Sequence, residues 1–213
     1  KIKNLERIRY TTSHPNDVSD DLINAHYECK KLMPILHLPV QSGSTKILRN
    51  MNRNHSIEEY LQKIAKLKKK NPLMEFSSDF IIAYPGETKE DFEATISLMN
   101  KVKFINSYSF IFSPRPGTPA ANQEIIDKQI AKKRLTDFQK VADKIKKNYR
   151  NKLINSTVKV LFENKTKNKI EYFGRDEYFN SVIVKSGENL IGKVKKVKIN
   201  KCNHNTLFGE ILL

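Results

Sequence analysis

The sequence predicts an α/β chain in two parts: a partial parallel (β/α) barrel, then a small all-β barrel of the OB kind. Three observations predict it. Over residues 1–126, strand-like runs alternate with helix-like ones, the signature of a parallel sheet. Residues 127–153 read as one long basic helix with a single apolar stripe. From residue 154 onward the apolar period falls to two, giving five short strands within 60 residues.

Each element has its own justification. In residues 7–12, RIRYTT, Ile8 and Tyr10 alternate with Arg7, Arg9 and Thr11, which reads as a strand. The SHPND loop follows, with Pro15 barring helix at its start. Residues 18–32 read as helix, 35–40 (ILHLPV) as a second strand and 44–51 as a short helix. Ser56 and Glu59 form a capping box that opens another helix, which ends near the KKKNP of residues 68–72. Residues 76–84 are a third strand, closed by a PGE turn. Thr88 and Asp91 cap the helix that runs to about Lys101. Residues 107–112 are a fourth strand and run into SPRPGTPA, a stiff loop of three prolines and one glycine. The long helix carries Ile130, Leu135, Phe138, Val141, Ile145 and Tyr149 on one stripe. The five later strands are expected at 157–163, 170–175, 179–185, 190–199 and 206–212. The domains are therefore 1–126, a connecting helix at 127–153, and 154–213. Four parallel strands do not close a barrel, so the missing ones are expected upstream of Lys1, and the chain reads as a fragment.

The strand faces carry a functional hint. Arg9, Thr11, His37, Gln41, Ser77, Asp79, Ser109 and Ser113 share the polar face by alternation. Ile8, Tyr10, Leu36, Leu38, Val40, Phe76, Phe80, Ile82, Tyr108, Phe110 and Phe112 share the apolar one. If the apolar face packs on helices, the polar face lines the barrel, where ordinary barrels place Val, Ile and Leu. Such a lumen holds a polar ligand or a self-satisfied pair such as Arg9 with Asp79. His37 reads as a hydrogen-bonded lumen residue, not a metal ligand. The loops at the strand ends are the edge where such folds bind ligands. Gly43 and Gly86 would let backbone approach a ligand. Gln41 and Ser42 suit sugar hydroxyls. Glu87 fits either a helix N-terminal charge or a ligand contact, and Arg115 either an anion contact or a plain surface site.

Composition narrows the partners. The net charge is +16, and it is uneven: residues 1–126 hold 18 basic and 14 acidic groups, 127–153 hold 10 and 3, and 154–213 hold 11 and 6. A polyanion, most simply nucleic acid, should engage the C-terminal part, unless the excess merely reflects a Lys-rich genome. Cys29 and Cys202 give neither a disulfide framework nor a metal-ligand spacing. With no apolar run of 18 residues and no signal-peptide pattern, the expectation is a cytoplasmic monomer without a membrane span. No nucleophile elbow, GxGxxG or GKS loop occurs.

Four contiguous stretches add more: RIRYTTSHP, KLMPILHLPVQSGSTKILRNMNRNHS, SSDFIIAYPGETKEDF and YSFIFSPRPGTPA. They resemble the tRNA methylthiotransferases of the radical S-adenosylmethionine (SAM) class, in particular the subgroup acting on N6-dimethylallyladenosine. The last ~60 residues resemble a TRAM domain, an RNA-binding barrel of the OB type. The resemblance implies the second part of a radical SAM barrel followed by TRAM. It implies S-adenosyl-L-methionine and two 4Fe-4S clusters as cofactors. One S-adenosylmethionine supplies a methyl group, another a radical that abstracts hydrogen from adenine C2, and a methylated sulfur is transferred. The cluster cysteines of the family are absent from these residues, so no catalytic residue and no metal ligand is expected here, and the piece alone should be inactive.

Carried over residue by residue, the resemblance puts Gln41, Ser42, Gly43 and Ser44 by the ribose of the cofactor. Tyr84, Pro85, Gly86, Glu87 and Arg115 would lie near its adenine or the target nucleoside. Gly43→Val should then abolish cofactor binding and spare tRNA binding. The partners implied are a tRNA anticodon stem-loop and unidentified sulfur and electron donors. Arg175, Lys193, Lys195, Lys196 and Lys198 are the candidate phosphate contacts. Phe173, Phe179 and Phe208 are expected in the core of so small a barrel, with base stacking as the other reading. Two alternatives stay open: an RNA-binding protein with a degenerate, non-catalytic half-barrel, and a barrel enzyme acting on a phosphorylated metabolite.

Overall fold

The computed structural model describes residues 2–3, 5–12, 14–168 and 170–212. The chain divides into two compact units, Lys1–Ile145 and Lys146–Leu213.

In the first unit a three-stranded parallel sheet has the order β1 (Ile35–His37), β2 (Glu75–Ile82), β3 (Asn106–Ile111). Helix α1 (Asp20–Glu28) precedes β1, α2 (Thr45–Asn50) and α3 (Ile57–Lys70) lie between β1 and β2, and α4 (Lys89–Val102) lies between β2 and β3. Both expected capping boxes form: Ser56 with Glu59 opens α3, and Thr88 with Asp91 opens α4. One face of the sheet packs Leu36, Phe76, Phe80 and Ile82 against Tyr60, Leu67, Leu98, Met99 and Phe104, all essentially buried.

Two strand expectations are corrected. Residues 7–12 form no strand. Ile8 and Thr11 make only single bridges, to Leu32 and His37, and Thr12 spends both its N–H and its hydroxyl on the His37 carbonyl. The second strand stops at His37 rather than residue 40, because Pro39 has no N–H to give a ladder. Its continuation is held instead by the buried hydroxyl of Ser78, which donates to the Leu38 carbonyl and accepts from the Val40 N–H, each at 2.9 Å.

The faces of β3 are also opposite to the alternation argument. Parallel register pairs Asp79 with Tyr108, Phe80 with Ser109 and Ile81 with Phe110. Tyr108 and Phe110 therefore share the open face with His37 and Asp79, where they are 57% and 59% exposed, and Ser109 shares the face of buried Phe80. Polarity misled here because an outer strand is only partly covered, so its apolar side chains need not mark the core face.

Helix α5 (Lys128–Leu153) starts in the first unit and ends in the second. Leu135, Phe138, Val141 and Ile145 pack on the first core as expected, joined by Ala131, while Ile130 is 48% exposed.

The second unit is a closed barrel of β4 (Thr157–Lys165), β5 (Glu171–Arg175), β6 (Ser181–Lys185), β7 (Val194–Cys202) and β8 (Thr206–Ile211), in the order β4-β5-β6-β8-β7. Closure leaves no free sheet edge. The core is Val158, Val160, Phe162, Tyr172, Val182, Val184, Leu190, Val197, Ile199 and Leu207. It excludes Phe173, Phe179 and Phe208, which are only partly covered, so their expected burial is corrected. Tyr172 and Leu207 take the inward places next to Phe173 and Phe208 by simple alternation.

Candidate functional site

At the C-terminal edge of the parallel sheet, the QSGS loop is occupied mostly with its own fold. Ser42 is 1% exposed; its hydroxyl accepts from the Ser44 N–H and meets the Thr95 hydroxyl. Gly43 donates its N–H to the Thr95 hydroxyl at 2.9 Å. A Cβ on Gly43 would press into Thr95 Cα and the Ala94 carbonyl, so glycine is there to let the loop touch α4. Ser44 accepts from the Ile47 N–H as the cap of α2 and donates to Asp91 Oδ1 at 2.6 Å. Burial pushes the Asp91 carboxyl up, but bonds from Ser44, the Thr88 N–H and Lys46 outweigh it and hold the carboxyl below its usual range. These bonds tie the Ser42 and Ser44 hydroxyls and the Gly43 N–H into the fold. Gln41 differs. Its backbone bridges to β2 at a left-handed φ of 76°, and its side-chain amide has no partner among the described residues.

The YPGE turn is similarly committed. The Tyr84 hydroxyl donates to the Asn50 carbonyl at 2.9 Å, and its ring meets Phe112 edge-on at 5.0 Å. Burial raises its pKa. Pro85 is buried. Gly86 is exposed, with φ at 76° as the turn demands, and its carbonyl accepts from Lys46. The Glu87 carboxylate is 1% exposed, accepts twice from the Ala83 N–H at 3.2 Å, and pairs with Arg134 of α5 at 2.7 Å. Burial raises its pKa, with Arg134 opposing. So Glu87 is a buried strut between turn and helix, and no local sequence signal marks Arg134 as its partner. Arg115 is exposed in a loop closed by Thr118, whose N–H and hydroxyl both donate to the Arg115 carbonyl.

The open sheet face keeps a polar group. His37 Nδ1 lies 2.9 Å from Ser77 Oγ, its Nε2 lies 3.4 Å from Asp79, and its ring meets Tyr108 edge-on. His37 is thus a hydrogen-bonded residue of that face, and Asp79 pairs with it. Arg53, after α2, lies in the quoted KLMPILHLPVQSGSTKILRNMNRNHS stretch but is not among the expected site residues. It is half-buried, burial lowers its pKa, and the field of Asp79 opposes that shift. A half-buried guanidinium beside this face suits a carboxylate or phosphate. Nearby His55 is buried against His14 and Tyr60, and burial, His14 and Arg53 pull its pKa down to about 4.

On the barrel, Lys196 and Lys198 are exposed on the outer face of β7, opposite Lys159 and Thr157 of β4. Lys193 is exposed just before β7. Lys195 falls on the alternate face, with buried Val197 and Ile199, and is partly covered. Arg175 donates to the Phe179 carbonyl and the Ser181 hydroxyl, and its guanidinium lies over the rings of Phe179 and Phe173 at 4.2 and 5.1 Å. Among the described residues no group of three or more His, Cys, Asp or Glu converges as a metal site, and no helix is long and apolar enough to cross a membrane.

Comparison with known proteins places both units. Residues 1–99 match the Radical SAM superfamily and residues 151–212 the TRAM domain. The chain is 56% identical over 209 residues to the tRNA-2-methylthio-N(6)-dimethylallyladenosine synthase of Pelagibacter ubique (strain HTCC1062), covering 97% of this chain and 46% of the relative. The synthase of the same name from Ruegeria sp. (strain TM1040) is 44% identical over 212 residues, covering 100% and 48%. The chain spans about half the length of the curated relatives it matches. Coproporphyrinogen III oxidase from Escherichia coli, a radical SAM enzyme, shares the fold with a TM-score of 0.52 at 14% identity, over 94% of this chain and 50% of that one.

Proposed function

From its kinship with the tRNA methylthiotransferases, we propose that this chain serves radical SAM methylthiolation of tRNA, at C2 of N6-dimethylallyladenosine beside the anticodon. The observation that carries the proposal is whole-chain similarity to synthases of that name, with a radical SAM part and a TRAM barrel in one chain. S-adenosylmethionine, bound with an iron–sulfur cluster, supplies the radical and the methyl group. Among the described residues no group of three or more His, Cys, Asp or Glu comes together.

For the nucleoside cofactor the fit is narrower than the loop motifs suggest. Gln41 has an amide with no partner among the described residues, Arg53 the half-buried cation, and Arg115 a further exposed cation at the same sheet edge. Ser42, Gly43, Ser44, Tyr84 and Glu87 support them from behind by locking α2, α4 and α5 to that edge. The His37–Asp79 pair and Tyr108 present a polar, aromatic-flanked surface able to orient a base. The barrel, with Arg175, Lys193, Lys196 and Lys198, holds the RNA backbone. Lys195 contributes through the local field rather than by direct contact.

A chimera tests this. The Pelagibacter relative is rebuilt with its matching half replaced by this chain, and bulk tRNA from cells that depend on the chimera is digested and weighed by mass spectrometry. The 2-methylthio nucleoside is expected. A folded chimera that binds S-adenosylmethionine and tRNA yet leaves the nucleoside unmodified would overturn the enzymatic reading in favour of RNA binding alone.

A further inference from the structure

We propose that the outer face of β5, β6 and β8 is a stacking platform for two unpaired bases of the bound RNA. The proposal rests on the reading that the barrel binds RNA, and it names which part of the RNA meets which side chains.

Register builds the platform. Phe173 pairs with Ile183, and Ile183 pairs with Phe208, so the three side chains stand in one row across three adjacent strands. All three are partly exposed, and the barrel core is complete without them. With strands about 4.8 Å apart, the two phenyl rings are separated by roughly 10 Å. That spacing lets each ring take its own base, with Ile183 as the apolar floor between them.

Cations flank both rings. The Arg175 guanidinium lies 5.1 Å from the Phe173 ring centre and 4.2 Å from that of Phe179, and hydrogen bonds to the Phe179 carbonyl and the Ser181 hydroxyl hold it there. The Phe179 turn is itself fixed. Buried Asp176 accepts from the Tyr178 and Asn180 N–H groups and from the Asn180 amide, which sets Phe179 at a left-handed φ of 64°. At the other end Lys201 pairs with Phe208 across β7 and β8 and lies 5.3 Å over its ring. An aromatic ring with a cation over one face receives a nucleobase on its other face and the adjoining phosphate on the cation.

Charge selects the occupant. Residues 154–213 carry 11 basic and 6 acidic groups. An apolar row on that surface, with Lys201 opposite Phe208 and Lys196 and Lys198 exposed further along the same strand, suits a polyanion that also offers apolar faces. Unpaired nucleotides do so. A duplex presents only phosphate and sugar to such a surface and leaves the rings unused.

The protein has no tryptophan, so Phe173→Trp and Phe208→Trp each introduce a single reporter. The probes are an anticodon stem-loop hairpin and a blunt duplex of the same stem. For the stacking platform, hairpin binding quenches the tryptophan in both variants and the duplex does not. Phe173→Ala and Phe208→Ala each weaken hairpin binding about tenfold, with the salt dependence unchanged. Duplex binding stays within about twofold, because phosphate attraction does not use the rings. Unquenched tryptophan on a bound hairpin, or alanine variants that bind as wild type, would overturn the platform while leaving RNA binding intact. Wild-type protein that binds neither RNA would overturn the RNA-binding reading and the platform with it.

Discussion

A single atom decides the role of Gly43. Its motif suggests a glycine that lets a ligand approach, but its N–H is already given to Thr95, and the space a Cβ needs is filled by α4 backbone. Backbone cannot move aside as a flexible side chain can, so even alanine forces the loop and α4 apart. Gly43→Ala should therefore destabilise the first unit by about 3 kcal/mol, at the upper end for overpacking. Chemical denaturation followed by circular dichroism measures this, and an unchanged midpoint would sink the packing account. The same reasoning changes the meaning of Gly43→Val. Loss of cofactor binding in that variant would report unfolding of the edge rather than removal of a ligand-binding group, so Gln41→Ala is the informative change at this loop.

At the scale of elements, what the sequence made legible was local, and what it hid was long-range. The capping boxes at Ser56 and Thr88, the helix α5 and the five barrel strands follow from signals within a few residues of each other. The failures needed partners far along the chain. Residues 7–12 alternate well but meet a strand only three residues long. The faces of β3 depend on register with β2, which no pattern inside β3 reveals. Glu87 and Arg134 are 47 positions apart, and neither motif nor period joins them. Their pairing yields a prediction about how YPGE is held to α5. Arg134→Met leaves a buried carboxylate with no cation and should cost about 3–5 kcal/mol. Glu87→Gln with Arg134→Met removes both charges and should recover at least half of that loss. Thermal unfolding of the wild type, the single variant and the double variant closes the test. A double variant no better than the single one would show that the ion pair is not what anchors the turn.

Across the whole molecule, charge and chain alternation combine into one statement about RNA binding. The net charge of +16 predicts attraction to any polyanion, but only cations that reach phosphate release counterions and steepen the salt dependence. Alternation on β7 separates the candidates: Lys196 and Lys198 stand on the outer face, whereas Lys195 stands on the face of Val197 and Ile199. Lys196→Ala with Lys198→Ala should therefore lower the slope of log affinity against log salt by about 1.5, roughly 0.7 to 0.9 for each phosphate no longer neutralised. Lys195→Ala should leave that slope unchanged, because a charge that acts through the general field displaces no counterion at a particular phosphate. Fluorescence anisotropy of a labelled anticodon stem-loop, titrated at several salt concentrations, gives all the slopes in one experiment. Equal reductions from Lys195 and from the outer pair would mean that RNA senses only the bulk charge of the barrel. Unequal reductions in the expected order would mean that the strand pattern orients the RNA across β7, beside the row of Phe173, Ile183 and Phe208.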